Sequence, residues 1–139
     1  MRMRAGEQHI TIKVPRGEVW RLIERAENVG SWWPREITPI QGEGIIEQGS
    51  VWDTPRSASG PPLRTEVDEV LQERKIVFHF LLPRGKRPAQ IWTIKLEDAG
   101  RHGCKASLKQ ELDWEMLYRY SYGSAGILVL WLTIPLTGL

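Results

Sequence analysis

Cysteine is almost missing from this chain. Cys104 stands alone, so neither an intrachain disulfide nor a cysteine-based zinc cluster can form. A lone thiol fits a reducing compartment, and a cytoplasmic protein is the expectation. Histidine is scarce as well: His9, His79 and His102 are scattered at no recognisable ligand spacing, which argues against a metal site. No phosphate-cradling loop is present, because the glycines of "QGEGIIEQG" lack a lysine and a following helix. The charge balance is slight, +2, too little to point to nucleic acid. The opening "MRMRAGEQHI" is basic but has no apolar run behind it, so it does not read as a secretory signal.

Charge is absent altogether from residues 120–139, "YSYGSAGILVLWLTIPLTGL". Twenty helical residues span about 30 Å, the thickness of a bilayer core, so membrane contact through this segment is one reading. Gly123, Gly126, Pro135 and Gly138, with two tyrosines, two serines and two threonines, favour the other: an apolar helix packed inside the domain. The segment has no polar closing turn, which suggests a chain that continues past Leu139.

What the chain does have is tryptophan, seven against only two phenylalanines. Its 139 residues fit one domain, 1–139, with 41% hydrophobic and 26% charged residues, a balance that builds a core rather than a disordered coil. Residues 9–14, "HITIKV", alternate with Ile10, Ile12 and Val14 on one face and read as a half-buried strand. Pro15 and Gly17 end it. Val19, Leu22, Ile23 and Ala26 then recur at helical spacing beside Trp20, and a second short helical turn over 27–33 stops at Pro34.

Strands follow at 36–40, 49–55, 63–71, 76–82, 89–97 and 105–112, separated by turns such as "QERK", "PRGKRP" and "DAGRHG". The order is one strand, two short helices, six strands and a long C-terminal helix. An antiparallel sheet buries one face, and the C-terminal helix is the element left to cover it. The fold class expected is α+β, a curved sheet of about seven strands gripping a helix.

The stretch "TIKVPRGEVWRLIERAENVGSWWP" resembles the opening of the START-related (SRPBCC) superfamily, whose members are often labelled polyketide cyclase/dehydrase. The resemblance rests on Pro15, Glu18, Val19, Trp20, Trp33 and Pro34, and on the later "GEGIIEQGSVW" and "EVLQERKIVFHF". It covers residues 9 to about 113. It implies a seven-stranded helix-grip fold with a deep cavity between sheet and helix. Members bind lipids, sterols, hormones, polyketides or quinones; some are cyclases or dehydratases, and others assist partner proteins. So wide a range leaves function to the site.

Among candidate side chains, His79 interrupts the apolar run "IVFHFLL", where it is either a satisfied interior histidine or a hydrogen-bonding partner for a ligand oxygen. In "LRTEVDEVL", alternation puts Thr65 and Val67 on the inner face and Arg64, Glu66 and Asp68 outside, unless a bulge reverses the phase. Trp20 packs the first helix on the sheet. Trp32 and Trp33 sit where a cavity mouth is expected, and Trp52, Trp92 and Trp131 fall on elements that border it. Trp92 shares parity with Ile94 and Leu96 and pairs with a strand carrying Ala106, Leu108, Gln110 and Leu112. Tyr118 and Tyr122 are four apart on one helical face. The alternative is a solid core, but tryptophan and tyrosine bring polar groups that need partners.

The expectation is therefore an interior site for a small hydrophobic or aromatic molecule, with Trp33, Trp52, Trp92, Tyr118 and Tyr122 as walls and His79 and Gln110 as polar anchors. It calls for no cofactor, metal or nucleic acid. A cyclase or dehydratase with His79 shuttling protons, and an interaction module tethered through 120–139, are the alternatives. A homodimer stays open, and three positive charges at "PRGKRP" offer a solvated turn or a contact for an acidic partner or lipid headgroups.

Overall fold

The computed structural model describes residues 3–29, 43–54 and 62–113. They form six strands: β1 (Met3–Ile12), β2 (Val51–Thr54), β3 (Leu63–Leu71), β4 (Lys75–Leu81), β5 (Gln90–Asp98) and β6 (Cys104–Asp113). Among the described residues between β1 and β2 are the helix α1 (Arg16–Ile23) and a 3₁₀ turn, Ala26–Asn28. The strands make one antiparallel sheet in the order β1-β6-β5-β4-β3-β2. The α+β class is as expected, with six strands among the described residues in place of about seven. The strand expected at 36–40 and the long C-terminal helix fall outside the described residues. So do 120–139, on which the expectation of a membrane tether rests; among the described residues no helix is long and apolar enough to cross a membrane.

β1 departs from the expected span, beginning at Met3 rather than His9 and ending at Ile12. The cause is its partner: β6 offers ten residues, and the ladder runs unbroken from Met3 opposite Asp113 to Ile12 opposite Cys104. Hydrogen bonding to a long, regular neighbour outweighs the weak strand propensity of "MRAGEQ". The helical spacing through Ala26 also breaks earlier than expected. Pro15, at the N-cap, accepts from the amides of Glu18 and Val19, and Glu24 closes α1. Glu18 in the first turn and Arg21 in the last suit the helix dipole. Arg25 is then extended and bridges Ile45, so Ala26 restarts as a separate turn. Glu27 ties this corner down, accepting from Arg25 Nε at 2.7 Å and from the Gly44 amide at 2.9 Å.

Alternation sorts β3 to β6 into two faces. The inner face carries Ile76, Phe78 and Phe80 on β4, Trp92, Ile94 and Leu96 on β5, and Cys104, Ala106 and Leu108 on β6, all buried. Val19, Trp20 and Ile23 of α1 join the same core. Each such side chain withdrawn from water contributes about 1.5–3 kcal/mol, so this face is the principal driving force of the fold. Within β3 the ladder slips between Val67 and Glu69. The extra residue is Asp68. Thr65 and Val67 before it stay inward, and Val70 returns to the inner side opposite Ile76.

Candidate ligand-binding face

Two cross-strand rows on the inner face carry the chemistry. In the first, Trp52 on β2 lies opposite Thr65, Thr65 opposite Phe80, Phe80 opposite Gln90, and Gln90 opposite Leu112. In the second, Val67 meets Phe78, Phe78 meets Trp92, Trp92 meets Gln110, and Gln110 meets Gly6. The rings form a continuous aromatic surface. Trp92 stands edge-on to Phe80, with centroids 5.6 Å apart at 71°, and Phe78 and Phe80 lie 6.4 Å apart at 27°. Such pairs add about 0.5–1.5 kcal/mol beyond area burial and hold one another's orientation.

Polar side chains are interleaved with these rings. Thr65, Gln90 and Gln110 are buried, at 0%, 1% and 2% exposure. Trp92 Nε1 donates to Gln90 Oε1 at 3.0 Å, satisfying the indole and fixing the amide, whose NH₂ end is left to donate elsewhere. Beside Gln110, Gly6 leaves room: a Cβ built there would meet nothing within 4 Å. An apolar surface with a few convergent polar groups is the usual make-up of a small-molecule site.

The structure brings three of the expected site residues, Trp52, Trp92 and Gln110, onto this one face. His79 does not join them. It sits on the opposite side of the sheet between Glu66 and Ile91, half-buried, with Nε2 3.6 Å from Asp68 Oδ2. The slip in β3 is what places Asp68 beside it. Trp33, Tyr118 and Tyr122, with Trp32 and Trp131, lie outside the described residues. Thr65, Phe80 and Gln90 were not singled out as site residues from the sequence, although each shares a row with Trp52 and the parity of Thr65 was legible.

On the opposite side of the sheet lies a groove of about 800 Å³ bordered by Asp53, Arg64, Glu66, Leu81, Arg84 and Lys86. Arg64 Nε donates to Asp53 Oδ1 at 3.0 Å across its floor. The adjoining "PRGKRP" loop does not present three equivalent charges. Arg87 is drawn to the fully buried Asp113 at 2.9 Å, which leaves Arg84 and Lys86 at the groove. Arg84 holds a left-handed backbone, φ 61°, a strained conformation for a side-chain-bearing residue.

The remaining reactive groups carry little chemistry. His9 is exposed 3.5 Å from Glu7, and His102 lies exposed in the β5–β6 turn. Burial pushes the Cys104 thiol up, the reverse of what a nucleophile needs. Among the described residues no group of three potential metal ligands comes together.

No protein-family model matches the chain, nor does any curated protein. Solved structures do. A protein from Mesorhizobium loti, MLL2253, superposes with a TM-score of 0.62 at 17% identity, covering 94% of this chain and 91% of its own. DynU16, a protein in the dynemicin biosynthetic locus, gives 0.57 at 15% identity over 93% of this chain; the match spans 47% of DynU16. An HSP90 activator from Plasmodium falciparum gives 0.55 at 12%, covering 76% of this chain and 71% of its own. At these identities the likeness is one of fold: the chain shares its α+β architecture with proteins of different roles.

Proposed function

We propose that the protein binds a small hydrophobic molecule against the inner face of the sheet. The observation that carries this reading is the interleaving of Thr65, Gln90 and Gln110 with Trp52, Phe80 and Trp92 on a buried face. A core built only for stability gains nothing from the Thr65 hydroxyl, which is buried with no hydrogen bond among the described residues at a cost of about 1–3 kcal/mol. In this proposal Trp33, Tyr118 and Tyr122 complete the wall and Gln110 serves as a polar anchor; His79, on the other side of the sheet, does not.

Binding is favoured over catalysis because the polar side chains of the two described rows are threonine and glutamine, none of which exchanges protons near neutral pH. A cyclase-type mechanism would need an acid or base on that side. A thermal-shift screen of apolar and amphipathic compounds tests the reading. A ligand present at a hundred times its Kd stabilises the folded protein by about 2.7 kcal/mol, an easily measured rise in melting temperature. If no compound of a broad lipid, polyketide and aromatic panel raises it, the proposal fails.

A further inference from the structure

The Thr65 hydroxyl is completely buried, yet Oγ1 makes no hydrogen bond among the described residues. A threonine in a strand commonly turns its hydroxyl to a neighbouring carbonyl, and none among the described residues accepts it here. Its cross-strand neighbours are Trp52 on one side and Phe80 on the other, both aromatic. Gln8 Oε1, on β1 at the far side of the same face opposite Leu108, is buried without a hydrogen bond too. Valine has nearly the shape of threonine, favours strands as strongly, and would remove the cost of an orphaned hydroxyl. A polar atom kept in such a place points to a partner that comes and goes.

We propose that the Thr65 hydroxyl is the specificity-determining contact of the inner face, hydrogen-bonding an oxygen of the bound molecule, so that the ligand is an oxygen-bearing apolar compound and not a plain hydrocarbon. The proposal rests on the binding function above. Position supports it: Thr65 lies two places from Gln90 along one row, with Phe80 between them, and the Gln90 amide has its oxygen engaged by Trp92. A guest lying across Phe80 meets a hydroxyl at one edge and an NH₂ at the other. The hydroxyl can donate or accept, so a carbonyl or an alcohol would serve.

The test uses two probes of equal size, 2-naphthol and 2-methylnaphthalene, titrated into the wild-type chain, Thr65→Val and Thr65→Ser. The expected result is that Thr65→Val weakens 2-naphthol binding roughly three- to tenfold, the worth of one neutral hydrogen bond, and leaves 2-methylnaphthalene unchanged. Thr65→Ser, which keeps the hydroxyl, retains the preference for the naphthol. The ligand-free Thr65→Val protein should melt higher than wild type, since it has lost an unsatisfied group. Equal affinity of wild type and Thr65→Val for 2-naphthol overturns the inference while leaving a ligand-binding interior intact. A lower melting temperature for ligand-free Thr65→Val also overturns it, because the hydroxyl would then have a permanent partner such as a structural water. If the wild type binds neither probe nor any compound of the wider panel, the binding function itself fails and this inference with it.

Discussion

Phe78 and His79 are adjacent in sequence and lie on opposite faces of β4, which makes them a direct probe of the sheet's orientation. Phe78 is fully buried between Val67 and Trp92. Truncating it to alanine forfeits the transfer energy of a ring and leaves a cavity, about 3–5 kcal/mol together. A small domain has about 5–15 kcal/mol to lose, so Phe78→Leu is the more measurable variant, at about 1–1.5 kcal/mol. The His79 side chain is 23% exposed, and its closest charged partner, Asp68, is itself 54% exposed at 3.6 Å. Such a pair is worth about 0–1 kcal/mol, so His79→Ala should cost less than Phe78→Leu. Urea unfolding followed by tryptophan fluorescence reads both, with Phe78→Leu lowering the midpoint by roughly 0.5–1.5 M at unchanged slope. His79→Ala should also leave any ligand-induced thermal shift intact. A His79→Ala protein as damaged as Phe78→Ala, or one that no longer binds, would refute the assignment of faces.

Three other outcomes are expected. Gly103→Ala places a Cβ 2.5 Å from the Ala99 carbonyl oxygen and 3.3 Å from that of Ile12, both backbone atoms, and should cost about 1–3 kcal/mol in a denaturant melt. The Cys104 thiol, buried and shifted upward, should react with a disulfide reagent at pH 8 only as the protein unfolds; rapid labelling of the native state would contradict its placement. The hydrogen bond from Arg25, followed by backbone amides, holds the Glu27 carboxyl below the ordinary glutamate value. A depressed folded-state pKa stabilises above the unfolded value and is lost as pH falls through the folded one. Carboxyl NMR titration should therefore show Glu27 protonating at lower pH than a free glutamate, and moving back up in Arg25→Gln.

The hairpins from β3 to β6 could be read in the sequence because two signals agreed there. The period-2 alternation of "AQIWTIKLE" and "KASLKQEL" set the faces, and turn residues at "QERK", "PRGKRP" and "DAGRHG" set the joints. That Trp92, Ile94 and Leu96 share a face with Ala106, Leu108 and Gln110 follows from those alone; the exact register, Trp92 opposite Gln110 and Ile94 opposite Leu108, is set by the turn geometry. β1 was less legible, since "MRAGEQ" is a strand only by virtue of the neighbour it pairs with. His79 was ambiguous because "IVFHFLL" is apolar on both faces, so no alternation marks which side it takes. The importance of Thr65 had no sequence signal beyond parity. A buried threonine looks like any β-branched strand residue, and an unsatisfied hydroxyl is a property of surroundings.

The slip at Asp68 has a consequence for how this strand tolerates change in length. Val67 faces Phe78, Glu69 faces Val77 and Val70 faces Ile76, so the ladder is already complete without the residue in the middle. Excising Asp68 would splice two in-phase halves into a regular strand, sacrificing only a local kink and a carboxylate near His79. An excision outside the slip would instead swing part of the strand inside out. One codon in β3 is thus free to come and go, while the stretches on either side of it are locked to their length.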